Sequence, residues 1–307
     1  MEKRHFSTSE PNLLTVGDTE TYLTSALEDI VANYPPRSRY PHEVLQGLWS
    51  GPTGIAYLML QVSTYRPDLL ISGQPAAHWA QGYISGSRGH NLRLGSHGCG
   101  VSDEKLVWEA VRAAIFKDLS HVREFVSSVW QVLQVQEFPD ENLYGRAGTL
   151  YLLRLVRHWV PDSKGLVNPA IDEISNIIIK NGPHWKWHGK RYVGAVHGDM
   201  GIVTQLVLTS PSLAPQLEPV VSKLLDMQHG DGNWSSAEGH GPNSKALVQF
   251  CHGAPGFILS LLAIRQYFPA LQERIDAAVR RGRECVWNEG LLRKEPSLCH
   301  GVFGNAL

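Results

Sequence analysis

No stretch of the sequence approaches the roughly 18 consecutive apolar residues that a membrane-spanning helix needs. The longest apolar run, at 256–264, is about half that length. The opening residues Glu2, Lys3, Arg4 and His5 hold no apolar core of a secretory signal. Glu2 stands where N-myristoylation requires glycine. Neither sign of charge is in excess: 28 Lys and Arg face 29 Asp and Glu, for a net charge of −1. That balance argues against a nucleic-acid binder held by its overall field and leaves a local basic pocket open. Cysteine is scarce, with four in 307 residues (Cys99, Cys251, Cys285, Cys299), and no CxxC pair occurs. A disulfide framework and a zinc-finger spacing are therefore both unsupported, and metal or thiol chemistry is the better use. Sustained period-two alternation is missing too, so little strand is expected. The expected location is cytoplasmic, with peripheral attachment to the plasma membrane left open.

What the chain does have is glycine and histidine. There are 29 Gly and 14 His, and His97, His188, His197, His229, His240, His252 and His300 each directly precede a glycine. Recurrence of that kind is a reason to look for repeats. A Gly-x-x-Gly motif leads into an apolar helical pattern at Gly51–Gly54, Gly145–Gly148, Gly198–Gly201, Gly253–Gly256 and Gly301–Gly304. A degenerate copy opens at Gly100, with Asp103 in place of the second glycine. Starts at 51, 100, 145, 198, 253 and 301 leave room for two helices per repeat.

Between the glycine motifs lie segments with one apolar face. Residues 21–34 place Leu23, Leu27, Ile30 and Val31 at helical spacing. Segments 120–136, 168–180, 213–228 and 271–287 follow the same pattern, and 75–84 is a weaker example. The segments that open at the glycines are apolar on nearly every side. Helices apolar all round belong inside, and helices with one polar face belong outside. Alternation of the two predicts an all-α chain built as a double-layered α/α toroid of helix hairpins. Glycine at the first turn lets neighbouring backbones crowd toward a common axis and leaves N-terminal N–H groups open to a ligand. Taken one copy at a time, the same motif is turn and packing chemistry.

Two repeats carry the same decoration, Cys251-His252-Gly253 and Cys299-His300-Gly301. Thiolate and imidazole are ligands that zinc takes, and equivalent positions in a repeat would bring the two motifs together. Two buried structural thiols with satisfied histidines would give the same pattern.

The blocks Gly145-Arg146-Ala147-Gly148, Val193-Gly194-Ala195-Val196-His197-Gly198, Cys251-His252-Gly253-Ala254-Pro255-Gly256 and Leu298-Cys299-His300-Gly301 resemble the signatures of the lanthionine synthetase C-like (LanC-like) family. The blocks around residues 144–148 and 194–198 are closer to its eukaryotic, glutathione-binding branch. The resemblance implies a seven-repeat α/α toroid with one central zinc ion, Zn²⁺. It also implies addition of a thiol across dehydroalanine or dehydrobutyrine, with glutathione as the thiol in the eukaryotic branch. Carried over by position, Cys251, Cys299 and His300 match the zinc ligands and His197 the catalytic histidine. Lys294 matches a lysine that contacts glutathione, and Arg4 matches an N-terminal arginine of the eukaryotic members. Glu141 falls where bacterial enzymes keep a catalytic aspartate. His252 has a structural or supporting place, and Cys99 and Cys285 match no functional position and read as core thiols. About six repeats are present, so residues 1–307 read as a single toroid domain without its C-terminal repeat.

The reaction this implies is attack of a metal-held glutathione thiolate on the β-carbon of a dehydroamino acid in a protein or peptide, with His197 as the proton donor. Two other readings stay open. One is a non-catalytic zinc- and glutathione-binding scaffold or signalling module. The other is a carbohydrate hydrolase on an α/α toroid, which would need two carboxylates beside the scissile bond.

Overall fold

A computed structural model describes residues 4–7, 17–89, 92–95, 98–239 and 247–306. His97, His240, residues 1–3 and Leu307, which enter the sequence reading, lie outside the described residues. Twelve α-helices occur among the described residues. They are α1 (Thr19–Asn33), α2 (Pro52–Tyr65), α3 (Ala76–Ser85), α4 (Glu104–Phe116), α5 (Leu119–Val132) and α6 (Arg146–Trp159). The series continues with α7 (Lys164–Asn181), α8 (Asp199–Thr209), α9 (Ala214–Asp226), α10 (Ala254–Ile264), α11 (Gln272–Glu289) and the short α12 (Val302–Asn305). Among the described residues the one sheet is a two-stranded antiparallel ribbon, β1 (Leu70–Ile71) with β2 (Gln74–Pro75). No helix among the described residues is long and apolar enough to cross a membrane. The fold class is all-α, as the periodicity implied.

The chain divides into two compact units. The first takes Met1–Pro11, Pro139–Leu150 and Ile174–Leu307, and the second takes Asn12–Phe138 and Tyr151–Glu173. Within the first unit α10 packs on α8, α11 packs on α9, and α10 also packs on α11. Burial separates the two layers: α10 buries eight of its 11 residues and α11 five of its 18. Inside this unit Phe257 stacks on Trp234 with ring centroids 4.3 Å apart and planes 3° apart. Both rings are fully buried. Each such ring is worth about 1.5–3 kcal/mol in burial alone.

Within the second unit α2 packs on α3 and α4, and α4 on α5. A buried cation joins them. The Arg88 guanidinium donates to Glu104 at 3.3 Å, to the Thr53 hydroxyl at 3.0 Å and to the carbonyls of Ile84 and Tyr83. Glu104 in turn accepts from the Gly47 N–H at 2.9 Å. Every partner is matched, which is the condition under which a buried ion pair is tolerated.

The repeats are registered by their glycines. A Cβ at the second glycine would meet the carbonyl oxygen six residues earlier: Leu48 for Gly54, Ala195 for Gly201, Phe250 for Gly256 and Leu298 for Gly304. The last three approaches are 1.9–2.0 Å, which no side chain survives. The same Cβ would also strike the preceding repeat: Asn142 at Gly201, Ala195 at Gly256 and Phe250 at Gly304. Turn chemistry and close approach between repeats are thus one constraint at these positions.

Two expectations are corrected. Asp103 does not replace a second glycine: it is the N-cap of α4, accepting from the Leu106 N–H at 2.9 Å, where the other repeats place their first glycine. The Asp side chain makes the cap bond that glycine cannot, so the register of that copy slips by three residues. At the N-terminus of α10 one N–H is not open to a ligand, because Asn233 Oδ1 accepts from the Ala254 N–H at 2.8 Å.

Candidate sulfur and histidine site

Cys251, Cys299 and His197 each sit on a turn leading into a helix of the first unit. Cys251 and Cys299 occupy equivalent turns, before α10 and α12, and the Cys251 N–H donates to the Cys299 carbonyl at 3.0 Å. That rung brings the two sulfurs together, and the Cys299 thiol donates to the Cys251 sulfur. The hydrogen bond from Cys299 pulls the Cys251 thiol down to about 7, against its burial. Hydrogen bonding to Cys251 and burial push the Cys299 thiol up. Their hydrogen bond thus favours ionisation of Cys251 over Cys299. Gln249 adds a second donor, its Nε2 lying 3.1 Å from the Cys251 sulfur.

Among the described residues no group of three or more His, Cys, Asp or Glu is arranged to hold a metal ion. The two sulfurs meet, but the His300 imidazole is not a third member of such a group. The donor chemistry still suits a thiophilic cation, which would take the place of the shared proton. His300 sits half-buried on the same turn as Cys299, and its N–H donates to Ser297 Oγ at 3.1 Å.

His197 lies on the turn before α8. Its Nδ1 is 2.5 Å from Glu141 Oε2. The Glu141 carboxylate is buried and also accepts from the N–H groups of Leu143, at 3.0 Å, and Tyr144. With Nδ1 donating to a carboxylate, Nε2 is the nitrogen left to exchange a proton with a ligand. One face of the imidazole is covered by Trp187, with centroids 4.0 Å apart and planes 2° apart. His252 is 6.0 Å from His197, and burial pushes it down to about 4, so it is a neutral neighbour. A Cβ on Gly194 would strike the Cys251 carbonyl at 2.5 Å, so the His197 turn rests directly on the cysteine turn.

Arg4 and Lys294 come together at one cavity of about 370 Å³, lined also by His5, Gln249, Arg293 and the single carboxylate Glu289. Its volume falls within the range of roughly 300–1,000 Å³ usual for small-molecule sites. The N-terminal segment is tied there as a strand. His5 pairs antiparallel with Leu292, the Phe6 N–H donates to the Leu291 carbonyl at 2.8 Å, and the Arg293 N–H donates to the Arg4 carbonyl at 2.9 Å. Lys294 Nζ donates to Gln249 Oε1 at 3.0 Å, so a single glutamine links this cavity to the sulfur pair.

A family model for the lanthionine synthetase C-like protein matches residues 112–307. The chain belongs to that family. A glutathione S-transferase LANCL1 of Danio rerio is 27% identical over 332 aligned positions, covering 99% of this chain and 75% of that protein. A LanC-like protein GCL1 of Arabidopsis thaliana is 33% identical over 180 positions, covering 53% of this chain and 40% of that one.

Among the family-matched positions, the structure joins Cys251 with Cys299, His197 with Glu141, and Arg4 with Lys294. Sequence reasoning missed Gln249 and Trp187. For Trp187 a signal existed: His188 and Gly189 both have positive φ and form a two-residue turn that pairs Trp187 with Lys190. A His-Gly dipeptide between Trp187 and Lys190 could have been read as that hairpin. Cys99 and Cys285 are buried core thiols, and burial pushes Cys285 up to about 12.

Proposed function

We propose that this LanC-like protein adds the thiol of glutathione to dehydroalanine or dehydrobutyrine residues of proteins or peptides, with one zinc ion held by Cys251, Cys299 and His300. The observation that carries the reading is the link from Lys294 through Gln249 to Cys251, which joins a cationic cavity to the sulfur pair beside His197. The name of the Danio rerio relative supports glutathione as the thiol. Arg4 and Lys294 would pair with the carboxylates of glutathione, directing its thiol along Gln249 toward the cysteines. The chemistry that zinc supplies when bound is a charge that keeps a thiol deprotonated at neutral pH.

The remaining steps belong to the chain's own residues. As the glutathione sulfur forms its bond to the β-carbon, the alkene pair moves onto the α-carbon. His197 Nε2–H delivers a proton there, and the proton lost by the thiol restores the imidazolium. Glu141 holds the ring in the orientation and tautomer this requires. Nothing leaves, so the product is a thioether. A reducing cytoplasm rich in free thiols is the compartment that suits it.

The test is direct. Purified protein supplied with zinc, glutathione and a dehydroalanine peptide is expected to yield the thioether adduct by mass spectrometry. Elemental analysis should give one zinc per chain, and less in Cys251→Ala. Glutathione binding without product would assign a binding role instead, and neither binding nor product would overturn the reading.

A further inference from the structure

We propose that Glu289 reads the α-ammonium group of the ligand in the cavity shared by Arg4 and Lys294, so that the cavity selects a free amino-acid head group over a plain dicarboxylate. This deepens the reading of that cavity as the glutathione site and rests on it. Arg4, Arg293 and Lys294 bring three positive charges to the lining, and Glu289 is its one carboxylate. Three cations alone would hold any polyanion of the right size. A carboxylate among them weakens the attraction for a dianion, unless the ligand carries a cation of its own to meet it. The γ-glutamyl end of glutathione has that pattern, an ammonium and a carboxylate on one carbon, and the glycine end supplies the second carboxylate.

Two observations set Glu289 apart from an ordinary solvated side chain. It is exposed, yet among the described residues its carboxylate takes part in no hydrogen bond or ion pair, even with the cations of the same cavity. It is also the last residue of α11, whose final turn holds no basic side chain. The C-terminal end of a helix carries partial negative charge, so an acidic group there is unfavourable and nothing local offsets it. The backbone beside it is held in place. The Gly290 N–H donates to the Val286 carbonyl at 2.7 Å, and the Gly290 carbonyl accepts from Asn305 Nδ2 at 2.8 Å and from the Leu292 N–H at 2.9 Å. Leu292 in turn pairs with His5, next to Arg4. One short turn therefore fixes Glu289 at its start and seats the Arg4 strand at its end. A charge placed against the helix dipole, without a partner, in the lining of a cationic cavity is accounted for by a cationic group on the ligand.

The experiment compares two ligands that differ by one group. Protein supplied with zinc is titrated by calorimetry with glutathione and with glutaryl-cysteinyl-glycine, which is glutathione without its amino group. The pH is about 6.5, where the α-ammonium is charged. Both ligands keep the thiol and both carboxylates, so any contact of the sulfur cancels in the comparison. Wild type is expected to bind glutathione about threefold more tightly or better. In Glu289→Gln the preference should vanish, and in Glu289→Lys it should reverse, because the ammonium then meets only cations. The melting temperature of Glu289→Gln should equal or exceed that of wild type, since no ion pair is lost and the helix end sheds an unfavourable charge. A wild type without the preference overturns the proposal. So does a preference of the same size in Glu289→Gln, or one lost only together with a clear fall in melting temperature, which would mark a structural role. Thioether formation is assayed on the same wild-type preparation. Absence of product while the preference holds counts against the transferase reading alone. Binding of neither ligand overturns both the proposal and the choice of glutathione as the thiol.

Discussion

At the scale of the residue, the site is a set of short polar links on turns that glycines hold in place. Glu141 carries most: it receives two backbone N–H groups and the His197 imidazole. His197→Asn keeps a donor of similar size but no exchangeable ring proton. If the chain forms thioethers at a zinc site as proposed, this change is expected to lower kcat by about 10²–10⁴-fold with zinc content unchanged. Glu141→Gln should lower kcat by a smaller factor and also cost about 1–3 kcal/mol in stability, because a buried donor loses its acceptor. Denaturant melts alongside steady-state kinetics would separate the two effects. Cys251 and Cys299 were marked by a motif that recurs in register, and recurrence needs no knowledge of contacts, whereas His197 was marked only by its match to a family position. Gln249 was not, since nothing periodic marks it and its role exists only when Lys294 folds back across 45 residues.

At the scale of the element, burial periodicity was enough to place helices but not to end them. Segment 120–136 was expected to stay helical, yet α5 stops at Val132, where turn bonds from Gln134 to Gln131 and from Val135 to Val132 take over. The glycine starts were legible as repeats, and their physical reason became visible only with the carbonyls that crowd them. Gly256→Ala places a methyl group 2.0 Å from the Phe250 carbonyl and is expected to destabilise by roughly 3 kcal/mol or more. Gly165→Ala in α7 meets nothing within 4 Å and should stabilise by about 0.4–1 kcal/mol. Thermal melts of the pair check both signs. The cap of α4 makes a third prediction. Burial raises Asp103 from its ordinary 3.8 to about 6. The folded state therefore holds that proton up to about pH 6, while the unfolded chain releases it near 3.8. Stability from this group is complete below the lower value and is lost as pH rises through the upper one. Asp103→Asn, which can still accept from the Leu106 N–H, should flatten the decline in unfolding free energy between these values. A decline that persists in the variant would place its source elsewhere.

At the scale of the whole molecule, the longest-range feature is the return of the N-terminal segment to residues 291–293, nearly the full length of the chain away. Sequence alone could match Arg4 to a family position but could not say what held it there. The structure supplies the answer in backbone bonds and in the Arg293 guanidinium lying 4.2 Å from the Phe6 ring centre. The segment thus sets two cations at the cavity, Arg4 directly and Arg293 through Phe6. Arg4→Ala removes one of them and leaves the strand in place. Deleting residues 1–7 removes Arg4, takes the Phe6 ring away from Arg293 and strips partners from the backbone of 291–293. If glutathione binds at this cavity, calorimetry should show affinity falling about tenfold for Arg4→Ala, the loss of one charge-assisted contact. The deletion should cost more than that, because it also removes the lining residue His5 and the Phe6 contact of Arg293. Phe6→Ala isolates this second part, and it should weaken binding with Arg4 still present. Equal losses for the point variant and the deletion would show that the strand only carries Arg4. An unchanged affinity in both would place the ligand outside this cavity.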